Sequence, residues 1–393
     1  MNRLKFKITA TTFLSDFSNA AIIFTFSLAL IGKSAFWFSL LYGVYYFSSF
    51  IIHLIMGMFI DKKSPASLMI FSEIARFVLL LLAFVIVSMG SNQKEIYLFI
   101  ICLIGLVEPI FHPAEMKVIF HYFSGRELSK IDSILELSDQ SMMIFAPILI
   151  TLIYKFKNIQ GALLIILIIL IISIIINFLL NKVTKIDIKT GNSDRDSFKE
   201  LLSGYAYIVN KRKLLYSSSI LGIVNIAFGI VTPLILPLLQ VYKADATLLY
   251  LFVTTAESTG VIFGALFILT FNKTKRITNQ YYPFLFISSS FLIVGMAQKS
   301  PVLIIICYFI IGGATSYFNV LNNLQFQKSS EEKMIGKVFA FKGMITVLGF
   351  TVGSLIGGFI ITIVAVNTLF IAVGFVTLSF TLLILFLKKN KKF

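Results

Sequence analysis

Long apolar runs separated by short polar connections constrain this chain more than any other feature. About twenty consecutive apolar residues are enough to carry a helix through a bilayer. On that criterion twelve spans are legible, the first six being Ile8–Ile31, Phe36–Ile60, Ala66–Met89, Glu95–Phe120, Ile131–Tyr154 and Ile159–Leu180. The second six are Leu214–Val241, Thr247–Phe271, Gln280–Ala297, Pro301–Gln325, Ile335–Val364 and Val366–Leu387. A soluble chain carries about 25% charged residues, whereas this one has 13%, with 58% hydrophobic. The sequence therefore predicts an all-α integral membrane protein. Its organisation reads as an N-terminal six-helix bundle over residues 1–180, a cytoplasmic linker over 181–213 and a C-terminal six-helix bundle over 214–393.

The net charge of +16 is a property of the connections. With both termini inside, 25 Lys and Arg residues fall in inner segments and 6 in outer loops. The positive-inside rule then places both termini in the cytoplasm of a cell membrane. No aromatic-interleaved basic domain is present, so nucleic acid is not an expected partner. Cys102 and Cys307 lie inside apolar spans, which gives neither a disulfide framework nor a metal pair. The sequence contains no P-loop, nucleophile elbow or His/Cys cluster, so neither an enzyme nor a cofactor is expected. In the linker, Phe198, Leu201, Leu202, Tyr205 and Ile208 recur at helical spacing, which predicts an amphipathic helix on the inner membrane surface.

Charges inside the spans single out candidate functional residues. A charge at mid-bilayer costs at least ~2.5–3.5 kcal/mol, so it is expected to face a bundle interior or a watery cavity. Asp16 with Asn19 in the first span, Glu108 and His112 in the fourth, and Glu257 in the eighth are read as substrate-binding and proton-coupling groups. Glu108, His112 and Glu115 are spaced i, i+4, i+7, which predicts one helical face. Pro109 and Pro113 interrupt the same helix and free backbone carbonyls, which is tolerated beside a cavity. Glu115, Glu136, Asp139 and Lys342 lie nearer the inner ends and read as gating or interface residues, Lys342 being paired with His53. Glu73 and Arg76 are expected to form an ion pair at the inner end of the third span, with the loop at Asp61.

The two halves also resemble each other. Phe111-His112-Pro113-Ala114-Glu115 and Phe318-Asn319-Val320-Leu321-Asn322 recur at an offset of about 207 residues, each followed by a polar loop. Parallel repeats of this kind mark a transporter architecture with its site between the halves.

Phe111–Glu115, then Arg126-Glu127-Leu128-Ser129-Lys130-Ile131-Asp132-Ser133 and Ala146-Pro147, resemble the fourth-to-fifth-span region of the macrolide-efflux branch of the major facilitator superfamily. Asn323-Leu324-Gln325-Phe326-Gln327, Ile335-Gly336-Lys337-Val338-Phe339-Ala340 and Pro233-Leu234-Ile235-Leu236-Pro237-Leu238 resemble its later spans. Gly57-Met58-Phe59-Ile60-Asp61-Lys62-Lys63 is similar to the superfamily's loop signature, with Ser64-Pro65 where a Gly-Arg pair is usual. The resemblance implies twelve helices in two bundles. Spans one, four, seven and ten would line a cavity, and three, six, nine and twelve would face lipid. It further implies a monomeric antiporter that takes a small-molecule substrate and protons and exports hydrophobic or amphipathic compounds, and the acidic groups of the spans favour cationic ones. An exporter of an endogenous siderophore, peptide or lipid, or a non-transporting sensor or scaffold, would fit the same pattern.

Overall fold

The computed structural model describes residues 2–31, 33–60, 63–90, 93–123, 125–184, 206–242, 246–271, 281–297, 300–331 and 335–389. All regular structure among them is helical. Without water to satisfy the backbone, a chain in lipid must close its hydrogen bonds within each segment, and a helix does so. The helices are α1 (Asn2–Ala29), α2 (Ala35–Ile60), α3 (Pro65–Ser88), α4 (Lys94–Val107, a 3-10 turn at Glu108–Ile110, then Phe111–Tyr122), α5 (125–157) and α6 (159–181). They continue as α7 (Arg212–Val231, a 3-10 turn at Thr232–Leu234, then Ile235–Leu239), α8 (Ala246–Phe271), α9 (Tyr281–Met296), α10 (Pro301–Ser329), α11 (Ile335–Ile360) and α12 (Val366–Lys389).

Ten stretches are long and apolar enough to cross a membrane, and Tyr282–Met296 is a shorter apolar helix. One of the ten, the 41-residue stretch Ser141–Asn181, holds both α5 and α6. The chain folds back at Asn158, whose φ of 54° and ψ of −159° are not helical. Asn is among the few residues other than Gly that visit positive φ readily. Gly161 allows the reversal, because a Cβ there would lie 2.3 Å from Lys157 Cβ. Twelve transmembrane helices follow, close to the boundaries expected from hydropathy. The eleventh run is shorter than expected, since α11 ends at Ile360 and residues 361–364 form a turn and bend.

The helices group into two compact units, Met1–Gly32 with Val44–Lys199, and Lys33–Gly43 with Glu200–Phe393. The first turns of α2 thus belong with the second unit. There Gly43 lies against Leu355 and Gly358 against Ser39, each close enough that a Cβ would come within 3 Å of a side-chain atom. Of the expected linker helix, Phe198, Leu201, Leu202 and Tyr205 lie outside the described residues. Residues 206–210 are helical and bury Ile208 against Leu214, Phe326 and Val338.

Each unit ties the start of its first helix to the connection after its fourth. Lys5 Nζ meets Glu127 Oε1 at 2.8 Å in one unit, and Lys211 Nζ meets Glu331 Oε1 at 2.8 Å in the other. The hydrogen bond and charge of Lys211 hold the Glu331 carboxyl below its ordinary range, and bonds to Glu331 and the Tyr207 hydroxyl raise the Lys211 ammonium. Both tied ends are partly open to solvent, where such pairs contribute little stability.

Close helix packing in the second unit runs through glycines. A Cβ on Gly229 would lie 2.4 Å from the Phe350 carbonyl oxygen, and one on Gly353 would lie 2.2 Å from that of Ile226. Small residues let backbones approach where lipid supplies no hydrophobic drive for association. Gly343, on the same helix as Gly353, has no atom within 4 Å of the Cβ position. Gly353→Val should therefore destabilise the protein by about 1–3 kcal/mol or more. Gly343→Ala should leave it unchanged or gain up to about 1 kcal/mol from helix propensity. Thermal unfolding in detergent, with protein abundance as a second reading, checks both.

Candidate functional site

The polar face of α1 organises the site. Thr12, Ser15, Asp16 and Asn19 recur every three or four residues, so they lie on one side of an otherwise apolar helix. Thr12, Ser15 and Asp16 are buried, and α3, α4 and α5 supply them polar partners.

Asp16 accepts a hydrogen bond from Ser138 Oγ of α5 at 2.8 Å. Its other oxygen lies 3.4 Å from His112 Nε2. The second ring nitrogen, His112 Nδ1, lies 3.3 Å from Glu115 Oε2, and Glu115 also accepts from the Thr12 hydroxyl. His112 therefore bridges two carboxylates. Its side chain is 47% exposed, whereas those of Asp16 and Glu115 are 3% and 1% exposed. The imidazole sits over the buried acids like a cover. Carboxylates only accept, and a neutral imidazole has one N–H. For both contacts to be attractive, the three groups must hold at least two protons between them. The arrangement can hold a shared proton on the ring or on either acid.

Glu108 belongs to a separate constellation. Asn19 Nδ2 donates to its Oε1 at 3.2 Å, and the Tyr45 hydroxyl of α2 donates to its Oε2 at 3.0 Å. The spacing in α4 predicts that Glu108 shares a face with His112 and Glu115, and the structure divides them. Pro109 has no N–H, and the chain tightens to a 3-10 turn in which the Phe111 N–H bonds to the Glu108 carbonyl. Val107 thereby loses the α-helical partner of its own carbonyl, and Ser72 Oγ of α3 donates to it at 2.9 Å. The break rotates Glu108 toward Asn19 and Tyr45 while His112 and Glu115 face Asp16 and Thr12.

Glu73 and Arg76 pair as expected, at 2.7 Å and both fully buried. They do not lie at the inner end of the span. They sit about 12–16 Å along α3 from Pro65, at the rise of an α-helix. Arg76 Nη2 also donates to Ser15 Oγ at 2.7 Å, so a helix expected to face lipid turns charges toward α1.

The remaining candidates are placed less centrally. Asp139 is exposed, while its neighbour Ser138 is the residue turned inward, about 100° around the helix. The Glu136 side chain and Asp61 lie outside the described residues. Lys342 donates to Asn323 of α10. His53 Nδ1 pairs with the main-chain oxygen of Ser49, one turn away on its own helix, at 2.8 Å. Glu257, on α8, is half-buried in the second unit, with Tyr250 and Tyr308 as its charged-state neighbours. Among the described residues it makes no hydrogen bond or ion pair. Thr12, Ser15 and Ser138 were not singled out from the sequence, and Tyr45 stood out only as one of several aromatic residues on the first two spans. Their signal was present only as hydroxyls in phase with Asp16, a pattern that apolar helices also use for bonds to their own backbone.

Twelve spans in two units, with a 3-10 break at Pro109 in α4 and another at Pro233 in α7, have counterparts among known proteins. The family model described as Major Facilitator Superfamily matches residues 8–341. The chain belongs to the Major Facilitator Superfamily. It is therefore a multi-pass membrane transporter.

Solved structures agree on the fold. The nucleoside transporter NupG matches at a TM-score of 0.75 and 15% identity, covering 98% of both chains. A POT family transporter in complex with a thioalcohol-conjugated peptide matches at 0.78 and 12%, covering 99% of this chain and 96% of that one. Comparison with curated proteins gives no significant match.

The Tyr45 hydroxyl is a main support of the Glu108 carboxyl. Tyr45→Phe should destabilise the transporter by about 1–3 kcal/mol, because a buried acceptor loses its donor. In a double-mutant cycle with Glu108→Gln, the pair should show a coupling of about 0.5–3 kcal/mol. Additive thermal unfolding free energies would show that the two groups do not interact.

Proposed function

We propose that this superfamily member is a proton-coupled secondary active transporter that exports hydrophobic or amphipathic, cationic compounds by alternating access. It would work as a monomer in the cell membrane, with both termini in the cytoplasm. The observation that carries this reading is the buried network on α1 and α4, where His112 bridges Asp16 and Glu115 and Glu108 stands one turn away. Carboxylates out of water can take up and release protons near neutral pH. Their negative charge favours a cationic cargo. The resemblance of Phe111–Glu115 and its flanks to the macrolide-efflux branch supports export of such compounds. Asp16, Asn19, Glu108, His112 and Glu257 are assigned to binding and coupling. Glu115, Asp139, Glu136, Lys342 and Asp61 are assigned to gating, together with the Glu73–Arg76 pair.

Accumulation of ethidium and of a macrolide in cells that overexpress the transporter tests the reading. Accumulation should fall on overexpression and recover when an uncoupler collapses the proton gradient. Glu108→Gln at normal abundance should reduce transport by about a hundredfold, the low end of what a positioned proton-transfer group contributes. Export that survives the uncoupler and responds to sodium instead would overturn proton coupling. Nucleosides and short peptides belong in the same screen, since the solved transporters of this fold include a nucleoside and a peptide carrier.

The topology has its own test. Single cysteines in place of Lys33, Lys94, Lys155 or Lys299 should react with a membrane-impermeant maleimide from outside, and those in place of Lys63, Lys275 or Lys391 should not. The reverse pattern would invert the orientation.

A further inference from the structure

The Glu73–Arg76 pair is the most deeply buried pair of opposite charges among the described residues, with both side chains at 0% exposure. A pair whose only task is to neutralise itself would be expected to use its hydrogen-bonding groups on each other or on neighbours. Arg76 does not. Nη2 serves both Glu73 Oε1 and Ser15 Oγ, while Nε and Nη1 have no hydrogen-bond partner among the described residues. The Phe111 ring, centred 5.8 Å from the guanidinium, gives the unused edge a face of π density. Two N–H-bearing nitrogens of a fully buried cation thus remain uncommitted.

The surroundings of that cation are acidic. Ser15, which it holds, is adjacent in sequence to Asp16 and one helical turn from Asn19, the partner of Glu108. The charge of Glu108 acts on Glu73 from α4. His112 and Glu115 follow on the same helix, Asp139 acts on Asp16 from α5, and Tyr45 approaches Glu108 from α2. The group of α6 that lies against Glu73 is the neutral Ser173. Lys117 follows Glu115 on α4 and is half-buried, whereas Arg76 is the fully buried cation beside Ser15 and Glu73.

We infer that Arg76 is the resident counter-cation of the acidic network and that Glu73 holds it in reserve, making the two a positioning pair that sets how much negative charge the α1–α4 face carries. Glu73 shares the guanidinium with Ser15, so neither Asp16 nor Glu108 is permanently neutralised. When the network acids lose their protons, a change of partner would offer them the free edge of Arg76. This deepens the proton-coupled reading above and rests on it.

The test uses the full-length protein in detergent and needs no cargo. The carboxyl stretching band is followed by infrared spectroscopy as pH is varied, in the wild type and in Arg76→Gln, Arg76→Lys, Glu73→Gln and Glu73→Gln/Arg76→Gln. Loss of the cation in Arg76→Gln should move the titration of the remaining carboxyls to higher pH by about one unit or more. Release of Arg76 in Glu73→Gln should move it to lower pH. Arg76→Lys, which keeps the charge, should lie near the wild type. The double variant, which removes a charge of each sign, supplies a folded comparison should a single variant fold poorly, and its titration should lie above that of Glu73→Gln and at or below that of Arg76→Gln. A merely structural pair predicts a different pattern: both single variants lose thermal stability, the double variant regains it, and the titration of the remaining carboxyls is unmoved in every one. That result would overturn the inference. Failure of the uncoupler assay would sink proton-driven transport while leaving these titrations to decide the role of Arg76 separately.

Discussion

A charge held away from water must be answered inside the protein, and in this transporter the answer is organised by one face of α1. Lipid makes every span a helix, but it does not say which side of a helix turns inward. Four polar side chains in phase, Thr12, Ser15, Asp16 and Asn19, decide that for the first unit. Each then fixes a neighbour: α5 through Ser138, α3 through Arg76, α4 through Glu115 and Glu108, and α2 through Tyr45 at the Asn19 site. Removal of one partner would leave a buried charge or acceptor with no water to turn to, which is the costly half of a hydrogen bond. The network is therefore also the constraint on how these five helices are rotated.

The spans and their number were legible in the sequence because hydropathy over twenty residues averages out local detail. So was the identity of most network acids, since a carboxylate in an apolar run has few places to go. What was not legible depends on rotation within a single turn. Glu108 appears in phase with His112 and Glu115 only if α4 is regular, and the 3-10 turn at Pro109 removes that regularity. Asp139 drew attention as a charge, yet one position earlier Ser138 faces Asp16. Glu73 and Arg76 looked like end-of-helix residues because an i, i+3 ion pair is most often a surface feature. Their depth follows from the long-range bond to Ser15, which no local pattern encodes.

The helix breaks show how a local defect becomes a functional position. At Glu108 the backbone gives up α-helical bonding, and Ser72 of α3 repairs the exposed carbonyl of Val107. That repair requires α3 and α4 to touch at one height, the height at which Arg76 also reaches α1. Pro233 breaks α7 in the second unit in the same way, with the Ile235 N–H bonding to Thr232. There the turn is lined by aliphatic residues, and no carboxylate stands at it.

That contrast separates scaffold from chemistry. The ends of the two units repeat: a lysine at the start of the first helix grips a glutamate after the fourth, at the same distance in both, and an apolar cluster lies beside each tie. The interiors do not repeat. Where the first unit has Asp16, Glu108, Glu115 and the Glu73–Arg76 pair, the second has Glu257 among tyrosines and a lysine bonded to Asn323. Repeats preserved at the ends and diverged in the middle are what a duplicated fold looks like once one half has specialised. The ties and the apolar clusters beside them repeat at one end of each unit although the interiors differ. The titratable groups of the first unit are gathered on α1 and α4, and the second unit has no matching cluster among the described residues.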